Sequence, residues 1–142
     1  MNLVAKMLIG LVLAGGAVRV WHTHERDVID RELAAASDSN GFVSIAMPDG
    51  AQQDKVLIFA ALNCPSAQAR RADEMAAKLQ KMGIPIQRSN QFSISRLSAQ
   101  QMPLLTRTNA VMGGPIPIVL VNGMAKNDPT VDELALEYHR DK

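Results

Sequence analysis

The sequence predicts an α/β sandwich: helices packed on a central mixed sheet, folded from residues 42–142 and preceded by a hydrophobic amino-terminal helix. Three observations predict it. The apolar runs at residues 56–62 (VLIFAAL) and 116–121 have the length and composition of strands buried on both faces. Between them lie segments whose apolar residues recur with helical spacing. Asn122-Gly123 follows the second run and marks a tight β-hairpin, which adds antiparallel pairing to the sheet.

Composition narrows the function classes. The chain has 142 residues, enough for one domain with little left over. Fifteen Lys and Arg stand against 14 Asp and Glu, so this is neither a strongly basic nucleic-acid module nor an acidic disordered tail. Hydrophobic residues make up 47%, which can supply a core. Aromatics are only 4%, too few for a base-stacking surface. The single cysteine, Cys64, admits no intramolecular disulfide and no zinc site built on paired cysteines.

Residues 1–21 read as a membrane anchor or signal segment. Lys6 precedes an uncharged run over residues 7–18 that Arg19 closes. That run is short for a span of ~20 residues, but with Lys6 and Arg19 snorkelling residues 3–21 can just cross. A cleaved signal peptide, with Gly15 and Ala17 before the cut, is the alternative. Trp21 stands where an interfacial aromatic belongs and favours an uncleaved anchor. The order of charge then apolar run points to the inner membrane, with the domain facing the periplasm or cell exterior.

Residues 22–41 read as a linker with a short helix at 27–36. His22 and His24 are spaced i,i+2 without a third ligand and read as solvated, so no metal is expected. Residues 42–47 form a short strand that ends at the Pro48-Asp49-Gly50 turn. After the 56–62 strand comes a helix at 65–82, with Pro65 at its first position, where no amide donor is needed. Ala72, Met75, Ala76, Leu79 and Met82 mark its apolar face, and Gly83 ends it. A strand at 84–87 makes this a parallel crossover. A second helix spans 98–107, with Ser98 and Gln101 spaced as a capping box. Residues 116–121 and 124–126 form the hairpin. Thr130 and Glu133, again spaced as a capping box, open a last helix. Met75, Met82, Met102 and Met112 read as packing residues.

Cys64 falls between the buried strand and the helix, which makes it the expected N-cap. Pro65, Ser66 and Ala67 then shape a helix terminus whose free amides and dipole favour thiolate over thiol. Thiolate is the nucleophilic form. Arg70 and Arg71 add positive potential if they face back.

The segment VLIFAALNCPSA, with Cys then Pro opening a helix, resembles the active-site segment of the thioredoxin and glutaredoxin superfamily. Ile116-Pro117, the strand after it and Asn122-Gly123 resemble the glutaredoxin stretch in which Val-Pro precedes a strand and an Asn-Gly or Asp-Gly turn. The resemblance covers residues 56–138 and implies a thioredoxin-like three-layer α/β/α sandwich. It also implies that Pro117 is a cis-proline facing Cys64, with Ile116 offering backbone to a substrate strand. The departures are informative. The resolving cysteine of Cys-x-x-Cys is Ala67, so only another thiol can release a mixed disulfide at Cys64. The lysine three residues before the cysteine is Ala61. The Gly-Gly-Asp turn that holds glutathione has no counterpart at residues 124–130, so no cofactor is expected.

Two functions follow as expectations. The first is a membrane-anchored thiol–disulfide oxidoreductase with one nucleophilic cysteine, Cys64, and a protein thiol or disulfide as substrate. The second is a redox-inactive binding or assembly module of the cell envelope that keeps the fold and has lost the chemistry.

Overall fold

A computed structural model describes residues 26–140. The chain divides into two compact units between Ala35 and Ala36. In the first, the described residues, 26–35, are helical; they belong to a helix, α1, that runs over 26–36. The second is a mixed α/β domain. Its elements are β1 (Val43–Ser44), β2 (Val56–Phe59), α2 (Ala67–Lys81), β3 (Ile86–Ser89), α3 (Leu104–Met112), β4 (Ile118–Val121), β5 (Met124–Asn127) and α4 (Val131–His139).

The five strands form one sheet in the order β1-β5-β4-β2-β3. β2 and β3 are parallel, with Val56 opposite Ile86 and Phe59 opposite Ser89. The other three pairings are antiparallel. β2 and β4 hold the middle, and every residue of both is buried. That is why they read as unbroken apolar runs rather than alternating ones.

Side-chain alternation sorts this core into two faces. Val56, Ile58, Ala60, Val119 and Val121 pack with Ala72, Met75, Ala76 and Leu79 of α2 and with Leu134 and Tyr138 of α4. The residues between them, Leu57, Phe59, Ile118 and Leu120, are equally buried and turn to the other face. There α3 lies against β1 and β5, and its buried Thr108 hydroxyl accepts the Ala46 N–H at 3.0 Å. Each large apolar side chain so buried contributes roughly 1.5–3 kcal/mol relative to exposure.

Several boundaries differ from the sequence reading, each for a local reason. The 42–47 strand shrinks to two paired residues, although Phe42, Ile45 and Ala46 remain buried. α2 begins at Ala67, not Pro65, because the Ser66 hydroxyl accepts the Ala69 N–H and makes Ser66 the N-cap. Cys64 therefore lies two residues outside the cap. α2 ends in a Schellman motif: Gly83 has φ 76°, Gly83 N–H reaches the Gln80 carbonyl and Ile84 N–H reaches the Leu79 carbonyl, both at 3.0 Å. That use of Ile84 moves β3 two residues later than 84–87.

The helix expected at 98–107 is displaced to Leu104–Met112. Pro103 has no N–H to continue a ladder from residue 99, so residues 98–103 form successive turns and Pro103 itself becomes the N-cap. One half of the expected capping box still forms ahead of the displaced helix: the Ser98 N–H donates to Gln101 Oε1 at 3.1 Å. β4 starts at Ile118, which leaves Ile116 and Pro117 in the preceding loop. Met75 joins the core, whereas Met82 and Met102 are half-exposed or more. The hairpin and the last helix form as read, with Asn122 and Gly123 both at positive φ and both halves of the Thr130–Glu133 capping box present.

Among the described residues no helix is long and apolar enough to cross a membrane. The anchor expected over residues 1–21, and His22 and His24, lie outside them.

Candidate functional site

β2 and β4 run antiparallel with Phe59 opposite Ile118. The chain leaving β2 toward Cys64 and the chain entering β4 through Ile116 and Pro117 therefore emerge at the same end of the sheet. Asn63 turns the first of these sharply, with φ 53°, a left-handed conformation that Asn tolerates better than most residues. Cys64 follows, half-buried and with a free thiol. Pro65 then precedes the Ser66 cap.

Hydrogen bonding from Ser66 holds the Cys64 thiol below its ordinary value, first through the side-chain hydroxyl and then through the backbone N–H; slight desolvation opposes them. The Ser66 hydroxyl thus caps α2 by accepting the Ala69 N–H and also favours the Cys64 thiolate. One expectation is corrected: Cys64 is not the N-cap of α2. The thiolate is favoured by Ser66 just ahead of the helix, not by Cys64 capping the helix itself. Ala67 is the first residue of α2, and the hydrogen bonds to sulfur come from its predecessor. Arg71 does not face back toward Cys64 but pairs with Asp128, and Arg70 is exposed.

On the opposing side, the Ile116–Pro117 peptide is cis. Pro117 is fully buried, while Ile116 is 44% exposed. Among the described residues no hydrogen bond engages the Ile116 backbone. Leu62, 42% exposed, adds apolar surface on the cysteine side.

A pocket of about 310 Å³ adjoins these loops, lined by Phe59, Ala61, Phe92, Met112, Ile116 and Ile118 among others. No charged side chain lines it. Phe92 meets Phe59 edge-to-face at 5.6 Å between centroids, a favoured aromatic geometry. The sequence reading missed Phe92. The available signal was an isolated aromatic in the polar stretch SNQFSIS of a chain poor in aromatics. A second, more open cleft of about 690 Å³ lies where α2 meets the start of α4. Arg71, Lys78 and Lys81 line it together with Glu74, Asp128 and Asp132, so it presents no field of one sign.

The segment carrying Cys64, whose thiol is held below its ordinary value, thus leaves the same end of the sheet as the cis Ile116–Pro117 peptide, and Ile116 lines the apolar pocket. Comparison of the chain with protein-family models, with curated proteins and with solved structures gives no match.

Proposed function

We propose that the chain is a thioredoxin-like thiol–disulfide oxidoreductase that works with one cysteine. The observation that carries this reading is the Ser66-stabilised Cys64 thiol at the same sheet end as the cis Ile116–Pro117 peptide. The fold assignment draws support from element order: a parallel β2–α2–β3 unit, then an antiparallel β4–β5 hairpin and α4, with the cysteine after β2 and the cis-proline before β4.

The chemistry is an exchange. Cys64 thiolate attacks one sulfur of a disulfide R–S–S–R′, forming a Cys64–S–S–R bond and expelling R′–S⁻. A second, external thiolate R″–S⁻ then attacks the R sulfur, forms R–S–S–R″ and returns Cys64 as thiolate. Electrons balance between the two partner thiols, and the protein ends as it began. With Ala67 where a resolving thiol would sit, the second step belongs to an external thiol. The proposed partner is a protein disulfide in an extended segment, paired with the Ile116 backbone. In this reading residues 1–21 tether the domain to the inner membrane, with the site outside the cytoplasm, where disulfides persist.

Cys64 is the only cysteine, so alkylation of the full chain reports on it alone. The rate measured against pH has an expected midpoint below the free-thiol value of about 8.5. Incubation with a disulfide should yield a mixed disulfide at Cys64 that an added thiol releases. A midpoint at or above that value, or reaction only after unfolding, overturns the proposal and leaves the binding-module reading.

A further inference from the structure

The segment that carries Ile116 and Pro117 is held from one place. β4 pairs with β5 so that Ile118 lies opposite Asn127. Asn127 Nδ2 donates to the Val111 carbonyl at 2.7 Å and to the Pro115 carbonyl at 3.0 Å. The next residue, Asp128, donates its backbone N–H to the Pro117 carbonyl at 2.7 Å. Three carbonyls on the approach to β4 thus end on two adjacent residues. The fit is close: a Cβ at Gly114 would stand 2.6 Å from Asn127 Nδ2. Asp128 has φ 46°, and from this left-handed position its carboxylate pairs with Arg71 of α2. α2 is the helix capped by Ser66, two residues after Cys64.

We propose that Asn127 and Asp128 are positioning residues, a latch that sets the Ile116–Pro117 segment against the helix end next to Cys64. The inference rests on the exchange reading given above. Neither residue touches the reacting sulfurs. Asn127 acts through the carbonyls it binds, and its amide is the group that suits them, since both neighbours are acceptors and an Asp there would set a carboxylate against them. Asp128 acts through Pro117 on one side and Arg71 on the other. The latch governs how a disulfide-bearing chain approaches, not how readily Cys64 ionises, because its hydrogen bonds and ion pair run to Val111, Pro115, Pro117 and Arg71 and none to Cys64.

The test compares two reactions of Cys64 in the full chain. Iodoacetamide needs only the thiolate. Exchange with a symmetrical peptide disulfide also needs the Pro117 segment in place. In Asn127→Ala the alkylation rate and its pH midpoint should stay unchanged. Peptide exchange should fall about tenfold, because two hydrogen bonds are lost and each is worth a factor of a few. Asp128→Gly keeps the left-handed backbone and the N–H to Pro117 but removes the Arg71 pair. It should slow exchange about twofold, as expected for an exposed ion pair. The charge-swapped double variant Arg71→Asp, Asp128→Arg should recover that loss. If Asn127→Ala fails to fold, Asp128→Gly and the swap decide the matter. Equal losses in both reactions, or unchanged exchange, overturn the latch while leaving the exchange reading intact. A wild-type chain that alkylates but exchanges with no disulfide overturns the exchange reading and the latch with it.

Discussion

At Ser66 one hydroxyl accepts the Ala69 N–H at 3.2 Å, and hydrogen bonding from the same residue holds the Cys64 thiol below its ordinary value. The two roles can be separated. Ser66→Ala should raise the alkylation midpoint of Cys64 toward about 8.5, because the larger of its two hydrogen bonds is gone. The same change should cost about 1 kcal/mol of stability through the lost cap, read from denaturant unfolding. Ser66→Gly should raise the midpoint equally yet cost only a few tenths of a kcal/mol, since Gly is an acceptable N-cap. A variant whose midpoint stays put would show that Ser66 does not hold the sulfur. The residue-level signal for this cap was present in the sequence. Ser ranks among the preferred N-cap residues and Cys does not, so of the run Cys64-Pro65-Ser66 the third position was the better cap. Reading Pro65 as the first helical residue obscured it.

Among elements, the β4–β5 hairpin and α4 follow local chemistry closely. Asn122 and Gly123 both adopt positive φ, as a two-residue hairpin turn demands. The Thr130 hydroxyl accepts the Glu133 N–H at 3.2 Å, and Glu133 Oε2 accepts the Thr130 N–H at 2.8 Å. Thr130→Ala should destabilise the domain by about 1 kcal/mol in denaturant unfolding. An effect under a few tenths would mean that packing of Leu134 and Tyr138 alone holds α4. α3 teaches the opposite lesson. Its apparent capping box at Ser98 and Gln101 forms only in part and starts no α-helix, because Pro103, just beyond the first turn, has no N–H to donate to residue 99. A spacing rule is legible in a sequence; whether the chain downstream can continue the helix depends on each amide in turn.

Across the whole molecule, ion pairs join segments that are distant in sequence. Lys126 Nζ bonds Glu133 Oε1 at 2.8 Å and the Asn40 carbonyl at 2.7 Å, and lies 5.6 Å from the Phe42 ring centroid. The Lys126 ammonium, with the Thr130 N–H, holds the Glu133 carboxyl below its ordinary value. At Asp38 partial burial pushes the carboxyl up, but Arg140 and the Phe42 and Asn40 amides outweigh it and leave a net lowering. A depressed carboxylate stabilises the fold above its unfolded pKa, and that stability is lost as pH falls through the lower folded value. Melting temperature should therefore be flat above about pH 5 and decline below about pH 4. Glu133→Gln should lower it at neutral pH and make the acid decline shallower. An unchanged profile in that variant would remove Glu133 from the account.

The sequence by itself determined the central strands, the hairpin, the last helix and the place of Cys64 at the end of a buried strand. All of these depend on residues within a few positions of one another, on alternation, apolar run length, caps and turn chemistry. Only the tertiary structure decided how the loops before β4 and after β5 are held. Asn127 meets the Val111 and Pro115 carbonyls because β4 and β5 pair in one register, and Asp128 meets Arg71 across 57 residues because α2 lies beside that turn. Phe92 reaches Phe59 only once β3 is laid beside β2. Such contacts carry no period in the chain. They arise when burial of two sheet faces fixes which loops share one end, and the polar groups left there must find partners among whatever that packing brings near.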